Sequence, residues 1–247
     1  NGTAPYETEN TIQRQLKKIG LIGGIGPEST IEYYRFIIES YQKRLGTKDY
    51  PEMIINSINL TEMLNYVFKN QLDELVDFLV DRIKVLELSE VEYGAILSNT
   101  THIVFDRLSE RTSIPFISIV EETCKEIIKK KKQRVALFGS KFTMTDGFFT
   151  NVAERYGIDI IVPEPDKQDY IHNKYMKELL FNNIVPETKQ QLIQIARELM
   201  EKESIQGLIL GGTELPLILD QADFEDLEIF DTTMIHAESI VTRMIEE

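Results

Sequence analysis

Short apolar runs alternate with longer stretches of helical periodicity through most of the chain. The first apolar run, 17–22, leads into a glycine-rich turn, 23–27, and then into apolar residues spaced three or four apart between Ile31 and Tyr41. Pro27 suits the first turn of a helix, where a backbone N–H has no partner to lose. The pattern therefore predicts a strand, a tight turn and a helix as the first unit.

The alternation continues beyond this unit. Further strands are predicted at 53–58, 94–97 and 115–119, with a helix at about 72–88 and another after His102. Strands that alternate with helices form parallel βαβ units whose helices cover the sheet. The chain is therefore predicted to be an α/β protein.

Two pairs of segments recur at nearly the same separation. KIGLIGG, which begins at Lys18, resembles RVALFGS, which begins about 116 residues later at Arg134. GAILSNT, which begins at Gly94, resembles GLILGGT, which begins at Gly207. These echoes predict two pseudo-symmetric domains, each a parallel sheet flanked by helices.

Both predicted domains place glycine- and threonine-bearing turns at the carboxyl ends of strands. Ligands bind at that edge of open parallel sheets, so we expect one active site in the cleft between the domains. We assign residues 16–117 plus 218–247 to the first domain and 118–217 to the second. Residues 1–15 are predicted to form an N-terminal tail.

Composition narrows the possible partners. The 247 residues are 42% hydrophobic and 28% charged, which is ordinary for a globular protein. The net charge of −14 disfavours nucleic acids and anionic membranes, because both are held by Lys and Arg. An acidic ligand would need local backbone N–H groups or a few placed cations. A small molecule is the expected partner.

The apolar runs are also too short to span a membrane, since about 18 consecutive apolar residues are needed. The polar start, 1–15, lacks the apolar core of a signal peptide. We therefore expect a cytoplasmic protein. Export of a processed precursor stays open, because the chain does not begin with Met.

Cysteine and histidine are too sparse to suggest a metal site. Cys124 is the single cysteine, so an intrachain disulfide and a cysteine-rich metal site are both excluded. The three histidines have neither a cysteine partner nor the spacing of a zinc-binding HExxH motif. We expect no bound metal, and Cys124 is interpreted as a small hydrophobic residue.

The glycine turn GGIGP, 23–27, does not have the sequence of a nucleotide-binding loop. It lacks both the Gly-Lys-Ser/Thr ending of a phosphate-binding loop and the GxGxxG register of a dinucleotide site. Its glycines permit a tight turn and leave N–H groups at a helix start, where they can hold a carboxylate. We therefore expect Gly24 and Pro27 near the site.

Two polar turns come directly after apolar strands in the two predicted halves. SNTTH, 98–102, places five small polar or ionisable side chains at a helix start, and GGTE, 211–214, has the corresponding place in the second half. Helix capping explains one residue of the first turn, and it also offers an alternative role for Glu214. Because the turns are paired across the repeat, we favour a role for both in one site.

Several segments together resemble the aspartate/glutamate racemase family from Lys18 onward. They are IGLIGGIGPEST, SNTTH, SIVEET, FGSKFTMTDGF, ILGGTELPLIL and DTTMIHAE. The resemblance implies a racemase that needs no cofactor and that forms a homodimer. It also implies two facing catalytic residues, one on each domain, that remove and return the α-proton of an amino acid.

The resemblance places those two catalytic residues at Ser98 and Gly212. Both positions are normally cysteine in the family, and the first is sometimes threonine. A thiol can be tuned to a thiolate base near neutral pH, whereas an alcohol needs a strong activating neighbour. Glycine has no side chain that could move a proton. The usual two-base mechanism therefore lacks both of its thiols.

Other site residues are implied by the same resemblance. Asn99, Thr100 and Thr213 are expected to bind the α-carboxylate, with Glu214 beside them, and Thr143 is expected near the distal end of the substrate. For a distal carboxylate the candidates are Lys141 and Lys174, although exposed lysines are the alternative interpretation.

Histidine could supply one missing proton-transfer group. His102 lies four residues after Ser98 and could act as acid or base beside the cleft, or it could be a hydrogen-bonded structural residue. His172 and His236 fall within segments that resemble the family, and His236 is expected to orient the neighbouring turn.

Two classes of function are consistent with the sequence. The first is a racemase-like isomerase that abstracts the α-proton of aspartate or glutamate, with Ser98, His102 or an ordered water serving one face. The alternative is a catalytically impaired binder of acidic amino acids or small dicarboxylates. A third interpretation is that positions 98 and 212 were altered by engineering or selection.

Overall fold

The computed structural model describes residues 16–246, and within this range the apolar runs form two parallel sheets of four strands. The first sheet has the order β2-β1-β3-β4, and the second has the order β6-β5-β7-β8. Their strands are Ile19–Gly23 (β1), Met53–Ser57 (β2), Tyr93–Ile96 (β3), Phe116–Ile117 (β4), Arg134–Phe138 (β5), Asp159–Ile161 (β6), Gly207–Leu210 (β7) and Glu228–Asp231 (β8). The two sheets share one topology, as the internal echoes predicted. The part of the chain built on β1–β4 is called the first half, and the part built on β5–β8 is called the second half.

Helices connect the strands and cover the sheets. They are Pro27–Leu45 (α1), Leu60–Phe68 (α2), Leu72–Leu88 (α3), Phe105–Ser109 (α4), Ile119–Lys129 (α5), Lys141–Thr145 (α6), Phe148–Arg155 (α7), Pro165–Lys177 (α8), Pro186–Glu203 (α9) and Thr232–Ile245 (α10). Short 3₁₀ segments lie at Thr100–Val104, Leu179–Phe181, Leu215–Leu217 and Gln221–Asp223. None of the helices in residues 16–246 is long and apolar enough to cross a membrane.

The duplication extends to side-chain packing. A Cβ on Gly94, in β3, would lie 2.6 Å from the ring of Phe116 in β4. A Cβ on Gly207, in β7, would lie 2.6 Å from the ring of Phe230 in β8. In each sheet, a glycine therefore allows an aromatic ring of the next strand to cover the start of a buried strand.

The boundary predicted for the last segment is partly wrong. Residues 218–247 were assigned to the first domain, but β8 pairs in parallel with β7 of the second sheet. Ile218, Leu219 and Phe224 also belong to the apolar core around that sheet. Helix α10 does belong with the first sheet, where it packs on α1 and shares a core with β1. The chain therefore changes halves between β8 and α10.

Helix α5 also contacts α10, although its own apolar residues lie in the core of the second sheet. The two helices therefore join the halves. Residues 1–15, predicted as a tail, lie outside the described residues.

Candidate active site between the two sheets

Turns at the carboxyl ends of the central strands face one another across the halves. The hydroxyl oxygens of Thr100, after β3, and Ser140, after β5, lie 3.1 Å apart within hydrogen-bonding distance. The Gly26 N–H, after β1, donates to Glu214 Oε1, after β7, at 3.3 Å. The predicted meeting of the two sets of turns is therefore present, and polar contacts hold the halves together there.

A small cavity remains between these turns. Its volume is about 20 Å³ for the centre of a water-sized sphere, and about 10–15 Å³ is enough for one water molecule. The cavity is lined by Ile25, Gly26, Leu60, Met63, Leu64, Ser98, Thr100, Ser140, Phe142, Tyr175, Met176 and Leu180. The lining therefore combines four hydroxyl-bearing residues with apolar side chains.

Ser98 lines this cavity from the first half. It is 4% exposed, and its carbonyl accepts hydrogen bonds from Thr101 Oγ1 at 3.2 Å and His102 Nδ1 at 2.9 Å. Among residues 16–246, the structure gives the Ser98 hydroxyl no hydrogen-bond partner that could act as a base. Ser98 therefore offers a hydroxyl donor to the cavity rather than an activated base.

The opposite position, Gly212, is covered by the ring of Tyr175 from α8. A Cβ on Gly212 would lie 2.5 Å from Tyr175 Cε2 and 3.0 Å from Cζ, closer than real side chains approach. The tyrosine ring therefore occupies the space that a side chain at position 212 would need. Sequence reasoning missed Tyr175, because nothing in the pattern of α8 distinguishes it from other half-apolar helix positions.

The phenol of Tyr175 donates to a buried carboxylate. Glu214 is fully buried, and its Oε2 accepts from the hydroxyls of Tyr175 and Thr213, the latter at 3.0 Å. Burial raises the pKa of Glu214, against the opposing effect of the hydrogen bonds from Tyr175 and Thr213. Burial also raises the pKa of Tyr175 well above its ordinary value, and the nearby charge of Glu214 adds to this. The capping role considered for Glu214 does not describe these contacts.

Three of the predicted substrate-binding residues are already engaged with the protein. Asn99 Nδ2 donates to Thr232 Oγ1 at 3.0 Å, while its buried Oδ1 has no partner among the described residues. The Thr213 hydroxyl donates to Glu214, and Thr143 Oγ1 lies 3.0 Å from Ser140 Oγ, behind the cavity wall. Of the predicted hydroxyl ligands, Thr100 lines the cavity directly.

Gly24 stabilises the turn instead of lining the cavity. Its φ is +83°, and a Cβ there would lie 2.5 Å from the carbonyl oxygen of Ile58. Its N–H donates to Thr30 Oγ1 at 2.9 Å, so this donor is not available to a substrate carboxylate. The residues of the glycine turn that line the cavity are Ile25 and Gly26.

His102 does not share the cavity with Ser98. Its Nδ1 bonds to the Ser98 carbonyl and its ring stacks on Phe105 at 4.5 Å between centroids. The ring lines a separate groove that also contains Asp146 and Arg155. Burial lowers the pKa of His102 to about 3, so the imidazole is neutral at physiological pH. The contacts favour the structural interpretation of this histidine.

The remaining histidines also lie outside the cavity. His236 Nδ1 is 2.9 Å from the hydroxyl of Tyr33, and its Nε2 is 2.9 Å from the carbonyl oxygen of Ile117. Burial lowers the pKa of His236 to about 4. His172 Nδ1 accepts from the backbone N–H of Lys141 at 3.1 Å. Among residues 16–246, no group of three or more His, Cys, Asp or Glu is placed to hold a metal ion.

The two lysines considered for a distal carboxylate form ion pairs on the surface. Lys141 Nζ lies 2.6 Å from Asp169, and Lys174 pairs with Glu178 on the same helix segment. Neither lysine lines the cavity. The exposed interpretation of both residues agrees with these contacts.

Two duplicated parallel sheets, with one cleft between their matching turns, define a two-domain α/β scaffold of the racemase type. The family model described as Asp/Glu/Hydantoin racemase matches residues 22–240. The chain belongs to this family, whose members are isomerases.

Individual relatives agree with this assignment. The broad specificity amino-acid racemase RacX of Bacillus subtilis (strain 168) is 27% identical over 227 residues, covering 91% of this chain and 96% of the relative. The crystal structure of an aspartate racemase homologue from Pyrococcus horikoshii OT3 is 34% identical, with a TM-score of 0.82 over 94% of this chain and 100% of that chain. The Picrophilus torridus aspartate racemase, 18% identical, shares the fold with a TM-score of 0.73 over 92% of this chain and 93% of that chain.

Proposed function

We propose that the protein is a cofactor-independent isomerase that exchanges the α-proton of an amino acid bound between Ser98 and Tyr175. The observation that carries this proposal is the cavity between the turns after the central strands. In a family of racemases, that is where a substrate α-carbon would be reached from two sides. The hydroxyl donors in its lining suit an α-carboxylate, and the buried setting strengthens such hydrogen bonds.

The residues that line the cavity also indicate which kind of substrate side chain would fit. The sequence predicted aspartate or glutamate, and a second carboxylate would need cations or several N–H donors. Within residues 16–246, the lining contains no Lys, Arg or His, and it presents Leu60, Met63, Phe142, Met176 and Leu180. We therefore favour a neutral amino acid with an apolar side chain. A relative named as a broad specificity amino-acid racemase is consistent with this choice.

Substrate entry requires movement, because the cavity of about 20 Å³ cannot hold an amino acid. The polar contacts that close it include one between hydroxyls, from Thr100 to Ser140, and one from the Gly26 N–H to Glu214, and the ring of Phe68 packs edge-on against that of Phe142 across the halves. We propose that the halves separate at these contacts and close on the bound substrate, which also excludes water.

Hydrogen exchange in D₂O tests this function. The purified protein is incubated with single L- or D-amino acids, and the α-proton signal is followed by NMR while chiral chromatography follows the enantiomers. We expect loss of the α-proton from methionine, leucine or phenylalanine, and slower loss from aspartate and glutamate. Exchange confined to aspartate and glutamate would contradict the proposed class of substrate. Absence of exchange from every amino acid would contradict the proposal that the protein is an enzyme.

A second candidate is a protein that binds an amino acid without turning it over. This candidate is favoured by the absence of a side chain at Gly212 and of a basic partner for the Ser98 hydroxyl among the described residues. A ligand that binds the folded state raises the unfolding temperature. Stabilisation by an amino acid or a small dicarboxylate, without α-proton exchange, would support this candidate. Homodimerisation and a cytoplasmic location stay predictions.

A further inference from the structure

The ring of Tyr175 takes the place of the side chain that Gly212 lacks. It reaches that place from α8, and its Cε2 would be 2.5 Å from a Cβ built on Gly212. Tyr175 is 8% exposed and lines the same cavity as Ser98. The phenol of Tyr175, from α8, therefore lies on the Gly212 side of the site.

The phenol is connected to a proton acceptor. Its hydroxyl donates to Glu214 Oε2, and Glu214 Oε1 is held by the N–H of Gly26 from the other half. A carboxylate fixed by several donors has a defined orientation toward the phenol. Because burial raises the pKa of Glu214, this carboxylate is also a better proton acceptor than an exposed one.

We propose that Tyr175, coupled to Glu214, is the acid–base group on the Gly212 side of the cavity. This role rests on the proposed function. The bond from the substrate α-carbon to hydrogen breaks as that hydrogen is transferred to Tyr175 Oη, whose own proton passes to Glu214 Oε2. The electron pair left on the α-carbon is delocalised into the substrate carboxylate.

Reprotonation completes the reaction without another reagent. Return of the proton from Tyr175 restores the original enantiomer, with the phenol proton coming back from Glu214. A proton from a water molecule on the Ser98 side gives the opposite enantiomer and leaves hydroxide. When the product leaves and water enters the cavity, the proton held by Glu214 neutralises that hydroxide, so atoms and charge balance. Tyr175 is a catalytic residue in this scheme, and Glu214 acts through it.

A purely structural role for Tyr175 predicts different behaviour from a catalytic one. Tyr175→Phe keeps the ring against Gly212 but removes the hydroxyl. The variant therefore retains the packing role of the ring and loses the group proposed to transfer the proton. Tyr170→Phe, on the same helix and outside the cavity, is the matched control. Amino-acid binding is measured by thermal stabilisation, and turnover by α-proton exchange in D₂O.

We expect Tyr175→Phe to reduce α-proton exchange by about 100-fold or more, the usual range for removal of an acid–base group. Its thermal stabilisation by the same amino acid should stay close to that of the wild type, and Tyr170→Phe should exchange at the wild-type rate. Exchange by a folded Tyr175→Phe within about threefold of the wild-type rate would overturn the role of Tyr175. Absence of exchange in the wild type would overturn the proposed function and this role together.

Glu214→Gln provides a second test if Tyr175→Phe does not fold. Wild-type exchange should rise with pH as Glu214 loses its proton, and Glu214→Gln should be slow and lack this rise. The double variant should be no slower than the slower single variant, because residues that act as one unit are not additive. A Glu214→Gln variant that keeps the wild-type rate and pH profile would exclude the coupled pair.

Discussion

Gly212 and Tyr175 are matched in shape, which can be tested at the scale of single residues. Gly212→Ala would place its Cβ 2.5 Å from the tyrosine ring, so the ring or the turn must shift. Overpacking of a buried site costs about 1–3 kcal/mol. We expect Gly212→Ala to lower the free energy of unfolding by roughly this amount, measured by urea denaturation.

The control is a double-mutant cycle with Tyr175→Ala. Removal of the ring vacates the space beside position 212, so Gly212→Ala should have little effect in the Tyr175→Ala background. An equal loss of stability in both backgrounds would contradict the packing described for this pair.

Part of the site could be predicted from residues near one another in the sequence. The turns at Ser98 and Gly212 could be located because each comes after a buried strand and the two strands are echoes of each other. Tyr175 could not be found in this way, because it comes from α8 and reaches Gly212 only through tertiary packing. Of the two roles considered for His102, the structural one is favoured by its contacts, since its bond to the Ser98 carbonyl holds the ring toward another groove.

At the scale of elements, the site depends on contact between the 3₁₀ segment Thr100–Val104 of the first half and α6 of the second. Thr100 begins that segment, and Ser140 caps α6 by accepting from the Thr143 N–H at 3.2 Å. Their hydroxyls lie 3.1 Å apart. We therefore expect separation of this pair to be the first step in opening the cavity.

A disulfide at this contact tests whether opening is needed. We expect the oxidised double variant Thr100→Cys, Ser140→Cys to take up no amino acid, because the cavity of about 20 Å³ would be held closed. Reduction should allow thermal stabilisation by the amino acid again, although more weakly than in the wild type because the two hydroxyls proposed to hold the carboxylate are replaced. The reduced form of the same protein is the control for loss of the two hydroxyls. Equal stabilisation of the oxidised and reduced forms would show that substrate enters by another route.

Local sequence patterns predicted where helices and strands lie better than they predicted which strands pair with one another. The helix expected at about 72–88 is present as α3, because its apolar spacing is a property of the local sequence. The sheet to which β8 belongs was predicted wrongly, because strand pairing joins residues distant in sequence. Phe230 contributes to that pairing by covering Gly207, a contact invisible in either segment alone.

At the scale of the whole molecule, two halves of one topology are joined by α5 and α10 and also meet at the turns. This arrangement places residues of the first half and residues of the second half around the same cavity. The net charge of −14 agrees with a substrate that carries no additional negative charge.

The position of a bound amino acid tests the central claim most directly. In a crystal structure of the complex with L-methionine, we predict an enlarged cavity with the α-carbon between Ser98 Oγ and Tyr175 Oη. The carboxylate should lie against Thr100 and Ser140, and Tyr175 should keep its hydrogen bond to Glu214. An amino acid bound outside the cleft, or a Tyr175 ring turned away so that Gly212 itself faces the ligand, would contradict the proposed mechanism.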